Sequence, residues 1–245
     1  MRPSPSARPA SAVRAALAGR SVLALAVVLA STACTREETA AVRPAYPVHA
    51  DITATVFWVG EPGTPDNDDI ANDVSYWDDR WETHFGGFDD PERRTADGRR
   101  PAAFEPEENA FYFALPYGEL DDDDALEPDV QRVPWYDGQE LDRTRSVLKN
   151  RWIEVRLGAR TVYAQWQDVG PFGEDDADYV FGGARPREAR SGLDLSPAAA
   201  AAIGLDGRGQ VSWRFVRGAD VPAGPWTRTR TTRGGIDEDT GGTPR

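Results

Sequence analysis

Two aspartates stand where apolar strand patterns give way to chain reversals. The segment Thr161–Gln167 alternates, with Val162, Ala164 and Trp166 on one face and Tyr163, Gln165 and Gln167 on the other. It delivers Asp168 into a Val-Gly-Pro-Phe turn. Downstream, Gly-Leu-Asp-Leu delivers Asp194 just before Ser196-Pro197, which suit the N-cap and first position of a helix closed by Gly204. Paired carboxylates are the machinery of glycosidic bond cleavage, one protonating the leaving oxygen and the other holding a water or stabilising charge. Packed against an aromatic such as Trp166, such an acid has its pKa raised, as a general acid requires. The same acids can instead accept N–H bonds from the turns that follow, which would lower their pKa. Both readings stand on the sequence.

Aromatic side chains near these acids are candidates for contact with a sugar: Trp58, Tyr112, Tyr117 and Trp166. The two histidines are less suggestive. His49 falls in a polar stretch and reads as solvated, whereas His84 lacks a neighbouring ligand for a metal but suits proton transfer. The run Asp66–Asp73 alternates acids, yet lacks the central glycine and terminal glutamate of a calcium loop, so it reads as a solvated loop. No metal or other cofactor is expected.

Three motifs in order carry a family resemblance. Leu115-Pro116-Tyr117-Gly118, then Asp168-Val169-Gly170-Pro171-Phe172, then Leu193-Asp194-Leu195-Ser196-Pro197-Ala198-Ala199 resemble Leu-Pro-Phe-Gly, Asp-Arg-Gly-Pro-Phe and Asp-Leu-Ser-x-Ala-Ala of the rare lipoprotein A (RlpA)-like proteins. The resemblance covers roughly residues 52–217. It implies a six-stranded double-psi β-barrel, shared with expansins, barwin-like proteins, certain endoglucanases and a lytic transglycosylase. It also implies that Asp168 and Asp194 meet at one side of the barrel, and makes Glu61, after an aromatic first strand, a candidate third site carboxylate, the alternative being an ordinary acid of the turn. Two departures bear on activity. Tyr112 stands where the family usually carries histidine, and tyrosine titrates too high to replace its acid–base role. Val169 replaces the family's arginine.

The elements that must position these residues are mainly β, with short helices. Ile52–Val59 reads as the first strand and ends in Gly60-Glu61-Pro62-Gly63. A long acidic insertion, 64–109, follows, with Tyr76, Trp77, Trp81 and Phe85 either capping the barrel or stacking on sugars. Phe111–Leu115 is the next strand, and Asp121–Asp124 a solvated acidic loop. Residues 139–150 are read as a short helix. Arg151–Leu157 and Thr161–Gln167 form a hairpin through Gly158-Ala159-Arg160. Gln210–Val216 is the last strand, Trp226 packs back on the barrel, and the barrel domain runs from 51 to 226. Residues 227–245 are expected to be disordered.

The 245 residues carry 40% hydrophobic residues and eight tryptophans, enough for one sizeable core. A formal charge of -13 argues against nucleic acid or an anionic membrane surface as a partner. The amino terminus has four arginines, an apolar run Val22–Ala30 too short to span a bilayer, and then Ser31-Thr32-Ala33-Cys34. This pattern reads as a lipoprotein signal, residues 1–33, with Cys34 the lipidated residue of the mature chain. The alternative is an ordinary secretory signal with Cys34 incidental. Removing four arginines and no acids from a charge of -13 leaves -17. No disulfide is then possible within the exported domain, because Cys34 is the only cysteine. Residues 34–50 form a tether. The expected protein is an envelope lipoprotein held to the membrane by its lipid, which binds peptidoglycan or another envelope polysaccharide without clear catalysis. A lytic transglycosylase or glycan hydrolase using the paired aspartates is the alternative.

Overall fold

The computed structural model describes residues 46–236. The signal segment, Cys34 and most of the tether lie outside the described residues, as do 237–245. Six strands close into a barrel: β1 (His49–Val56), β2 (Tyr112–Leu115), β3 (Trp152–Leu157), β4 (Arg160–Val169), β5 (Leu193–Leu195) and β6 (Gly209–Val216). The order around the barrel is β1-β5-β2-β4-β3-β6. Two neighbour pairs are parallel, β1 with β5 and β2 with β4, and the rest are antiparallel. Closure leaves no open edge for another chain to pair with.

Local chemistry accounts for several elements. β3 and β4 form the expected hairpin, with Gly158 at φ 58 in the turn, a conformation that glycine adopts without a Cβ clash. Ser196 accepts the Ala199 N–H and caps α3 (Pro197–Ile203), and Gly204, at φ 74, ends it. The barrel interior is filled by aromatic and branched side chains, among them Phe113, Trp166, Trp213 and Phe215. Rings of the insertion extend this core. Trp81 in α1 (Trp81–Phe85) lies 5.3 Å from the Tyr112 ring, and Trp77 lies 6.0 Å from Trp166. Trp77, Trp81 and Phe85 therefore cap the barrel and are not a sugar platform, because they are buried.

Three expectations change. Strand β1 begins at His49, because a bulge at Asp51, whose φ is 53, carries the pairing with β6 across a register shift. His49 is consequently not solvated: it is buried and stacks 4.0 Å from Trp213. Residues 139–150 form turns, not a helix. Ser146 Oγ accepts both the Leu148 and Lys149 N–H groups, and Asp142 accepts from Thr144 N, so side chains take the bonds a helix would use. Finally, the chain past 226 packs on the barrel as far as Ile236. Thr231 is buried, donating its N–H to Gln165 Oε1 and accepting the Asn109 N–H at its hydroxyl.

Candidate functional site

The register of three strands brings Asp168 and Asp194 together. Ala114 on β2 pairs with Asp194 of β5 on one side and with Asp168 of β4 on the other. Thr55 of β1 pairs in turn with Asp194. Cross-strand partners project to the same face, so Thr55, Asp194, Ala114 and Asp168 form one row. The two aspartate Cα atoms are two strand spacings apart, roughly 9.5 Å. The methyl group of Ala114 leaves the space between them open.

A β-bulge makes this row possible. Phe113 pairs with Trp166, but Ala114 pairs with Asp168, so Gln167 is an extra residue on β4. Without it Ala114 would face Gln167. Bulges re-aim side chains in this way. The Trp166 indole donates to the Asp168 carbonyl at 2.7 Å and anchors the re-aimed segment. Beyond the strand, Gly170 N donates to Leu115 O at 3.0 Å, turning the Pro171-Phe172 loop over the cleft.

The row is the floor of a cleft of about 590 Å³. Its walls are the strand β1 end (Val56, Phe57 and Glu61), the loop from Val169 to Glu174, and part of the insertion: Thr64, Asn67, Asp68, Ile70 and Asn72. The insertion thus forms a wall and leaves the cleft open. Glu61 joins the two aspartates, held by Asn72 Nδ2 at 3.0 Å.

Both sequence readings find a counterpart in the surroundings of these acids. Asp168 Oδ1 does accept turn N–H groups, from Tyr76 at 2.8 Å and Val169 at 2.9 Å. Burial outweighs both bonds and pushes its pKa up to about 7, helped by the charges of Glu174 and Asp194. Since Oδ1 takes both bonds, Oδ2 is left to carry the proton. Burial also raises Asp194, to about 6, against hydrogen bonds from the Thr55 and Ser191 hydroxyls. Glu61 is raised to about 7, first by burial and then by the charge of Asp194, while Asn72 and the Trp58 N–H oppose the shift. The three carboxyls share the cleft and titrate as a group. The charge of Asp194 is among the causes that raise the other two.

The aromatic candidates fare differently. Tyr112, Tyr117 and Trp166 are fully buried, so none can present a ring face to a ligand. The insertion covers Tyr112 and Trp166: the Tyr112 hydroxyl donates to Asp89 Oδ2 at 2.8 Å and accepts the Val59 N–H at 3.0 Å, and Trp77 packs on Trp166. Tyr117 bonds Asp129 at 3.1 Å. Trp58 is half-buried and does not line the cleft. His84 is not in the cleft either; its Nδ1 lies 2.7 Å from Asp78 Oδ2. The largest apolar side chains lining the cleft are instead Phe57, Ile70 and Phe172, with Phe57 buried. Thr55 and Ser191, which hold Asp194, were missed. The one available signal was a pair of threonines at alternate positions of an otherwise apolar β1; nothing marked Ser191.

No family model matches this chain, and no curated protein matches it. Among solved structures the chain is similar to Streptomyces papain inhibitor (SPI). The likeness runs at 16% identity over 71% of this chain and 99% of that chain, with a TM-score of 0.33.

Proposed function

We propose that the chain is an exported envelope lipoprotein whose barrel, of the double-psi kind, cleaves a cell-envelope glycan, peptidoglycan foremost. The observation that carries this reading is the placement of Asp168 and Asp194 on either side of Ala114 in one open cleft, with pKa values near neutral. Asp168, with a pKa near neutral, is the general acid, donating from Oδ2 to the glycosidic oxygen. Asp194 is the carboxylate that stabilises positive charge at the sugar or accepts a proton from the attacking hydroxyl. A separation of roughly two strands leaves room for a water, as in inverting hydrolysis, or for the sugar's own hydroxyl, as in a transglycosylase. Thr55 and Ser191 fix the orientation of Asp194, and Glu61 keeps a second proton beside it. Ile70 and Phe172 supply apolar surface for a ring. Cys34 anchors the protein to the membrane through lipid; among the described residues no helix is long and apolar enough to cross one.

A second reading, binding without cleavage, rests on Tyr112. It occupies the position of the family's usual histidine, yet lies fully buried and bonded to Asp89. One experiment separates the readings. Purified peptidoglycan is incubated with the protein and with Asp168→Asn, and both pelleted protein and released sugar are measured. Release that the variant abolishes makes the protein an enzyme, and anhydro ends make it a transglycosylase. Pelleting without release makes it a glycan-binding protein. An absence of both pelleting and release would sink both readings.

A further inference from the structure

A second cluster of reactive groups lies outside the cleft, around the only lysine of a chain with 28 basic residues. Lys149 precedes β3 and is 1% exposed. Its ammonium nitrogen is buried and has no hydrogen-bond partner. It stands 3.9 Å from Oδ2 of Asp78, itself buried in the insertion. Glu108 is buried beside them, with Oε2 likewise lacking a hydrogen-bond partner. A structural ion pair at such depth needs its protons and lone pairs satisfied to offset desolvation, and here the ammonium protons are not. An amine without a hydrogen-bond partner is thus held against a carboxylate that Arg80 and His84 orient, with a second carboxylate beside them.

We propose that Lys149 and Asp78 become joined by an intramolecular amide bond, with Glu108 relaying the proton. Nζ attacks Cγ of Asp78, the Nζ–Cγ bond forms, and the Cγ–Oδ2 bond breaks. Of the three ammonium protons, one stays on the amide nitrogen and two leave on Oδ2 as water, one of them by way of Glu108. Nothing is oxidised or reduced. Charge that develops on Oδ1 during attack meets the Arg80 N–H at 3.0 Å and His84 Nδ1 at 2.9 Å. Burial holds Lys149 below its ordinary pKa, which favours the neutral, nucleophilic amine, and holds Glu108 above its own, which favours a proton on the relay. Burial also acts to raise Asp78, but the bonds from His84 and Arg80 outweigh it and keep its carboxyl below the usual range. The proton that Oδ2 needs therefore comes from Nζ and Glu108.

The bond would fasten the insertion to the strand β3 approach. With Cys34 the only cysteine, the exported domain has no disulfide to do this. The test is the mass of the denatured full-length protein, followed by digestion after arginine and peptide mapping. The expected result is a mass about 18 Da below that of the processed sequence, mapped to a branched pair of peptides joined at Asp78 and Lys149. Lys149→Arg and Glu108→Gln would show no such loss. If those variants fail to fold, the wild-type peptides alone decide. Unlinked peptides carrying Asp78 and Lys149 at full mass overturn the proposal, and so does a link from Lys149 to Glu108.

Discussion

Asp168 and Asp194 share one cross-strand partner, Ala114, although 26 residues separate them along the chain. The small size of that shared partner is what keeps the space between the carboxyls open. Ala114→Val keeps a side chain that suits a strand while placing two methyl groups between the acids. We expect sugar release to fall by at least tenfold with the fold retained, at a cost of about 1–2 kcal/mol from overpacking. Activity assays beside circular dichroism check this. Wild-type turnover in a folded variant would mean that substrate does not pass between the two acids.

Asp168 is held at a stability cost that its substitution should reveal. Its pKa is about 7 folded, against an ordinary value of 3.8. A raised carboxyl pKa imposes no penalty below the lower value. The penalty grows as pH rises between the two values and is fully present above the higher one. Asp168→Asn keeps an oxygen for the Tyr76 and Val169 N–H groups and removes the charge. It should therefore stabilise the protein by about 4 kcal/mol at most at pH 8, with no gain near pH 3.5, while abolishing any cleavage. Thermal melts at the two pH values test the sign; equal melting differences would show that burial does not govern this carboxyl.

Much of this arrangement was legible before the fold. The alternation of Thr161–Gln167, the Gly158 turn, and the Ser196 cap with its Gly204 stop are local signals, and each appears where its chemistry required. What was not legible depends on partners distant in the chain. The bulge at Gln167 exists only against the register of β2, and it alone turns Asp168 toward Ala114. The polar neighbours of His49 suggested solvent, but Trp213, far along the chain, gives it a stacking surface. The aromatics of the insertion fit a cap better than a sugar platform by sequence, but did not exclude the platform. Only their contacts with Tyr112 and Trp166 decide for the cap.

That cap makes Tyr112 a structural keystone with its own prediction. Its hydroxyl satisfies the Val59 N–H and one oxygen of Asp89, which is fully buried and paired with Arg94. Tyr112→Phe leaves both the N–H and the Asp89 oxygen unpaired without changing ring packing. A loss of about 2–3 kcal/mol is expected from these unmet groups, read by urea unfolding. A cost under about half a kcal/mol would mean that water reaches this site and replaces the hydroxyl.

His49 supplies a test of where the domain begins, through its response to acid. It is buried against Trp213 and Tyr179, and burial pushes its pKa from 6.5 down to about 4. The unfolded chain takes up a proton on this histidine below 6.5, whereas the folded protein resists until about 4. Stability from the neutral ring is thus complete above the first value and drains away as pH falls toward the second. The cleft acids respond in the opposite direction over part of this range, so the comparison must be with a variant at matched pH. His49→Phe keeps the stacked ring and cannot be protonated. Relative to wild type, it should gain about 2 kcal/mol between pH 7 and pH 4. A constant difference across that range would mean that the histidine is protonated within the fold as readily as outside it, and that β1 opens at its first residue.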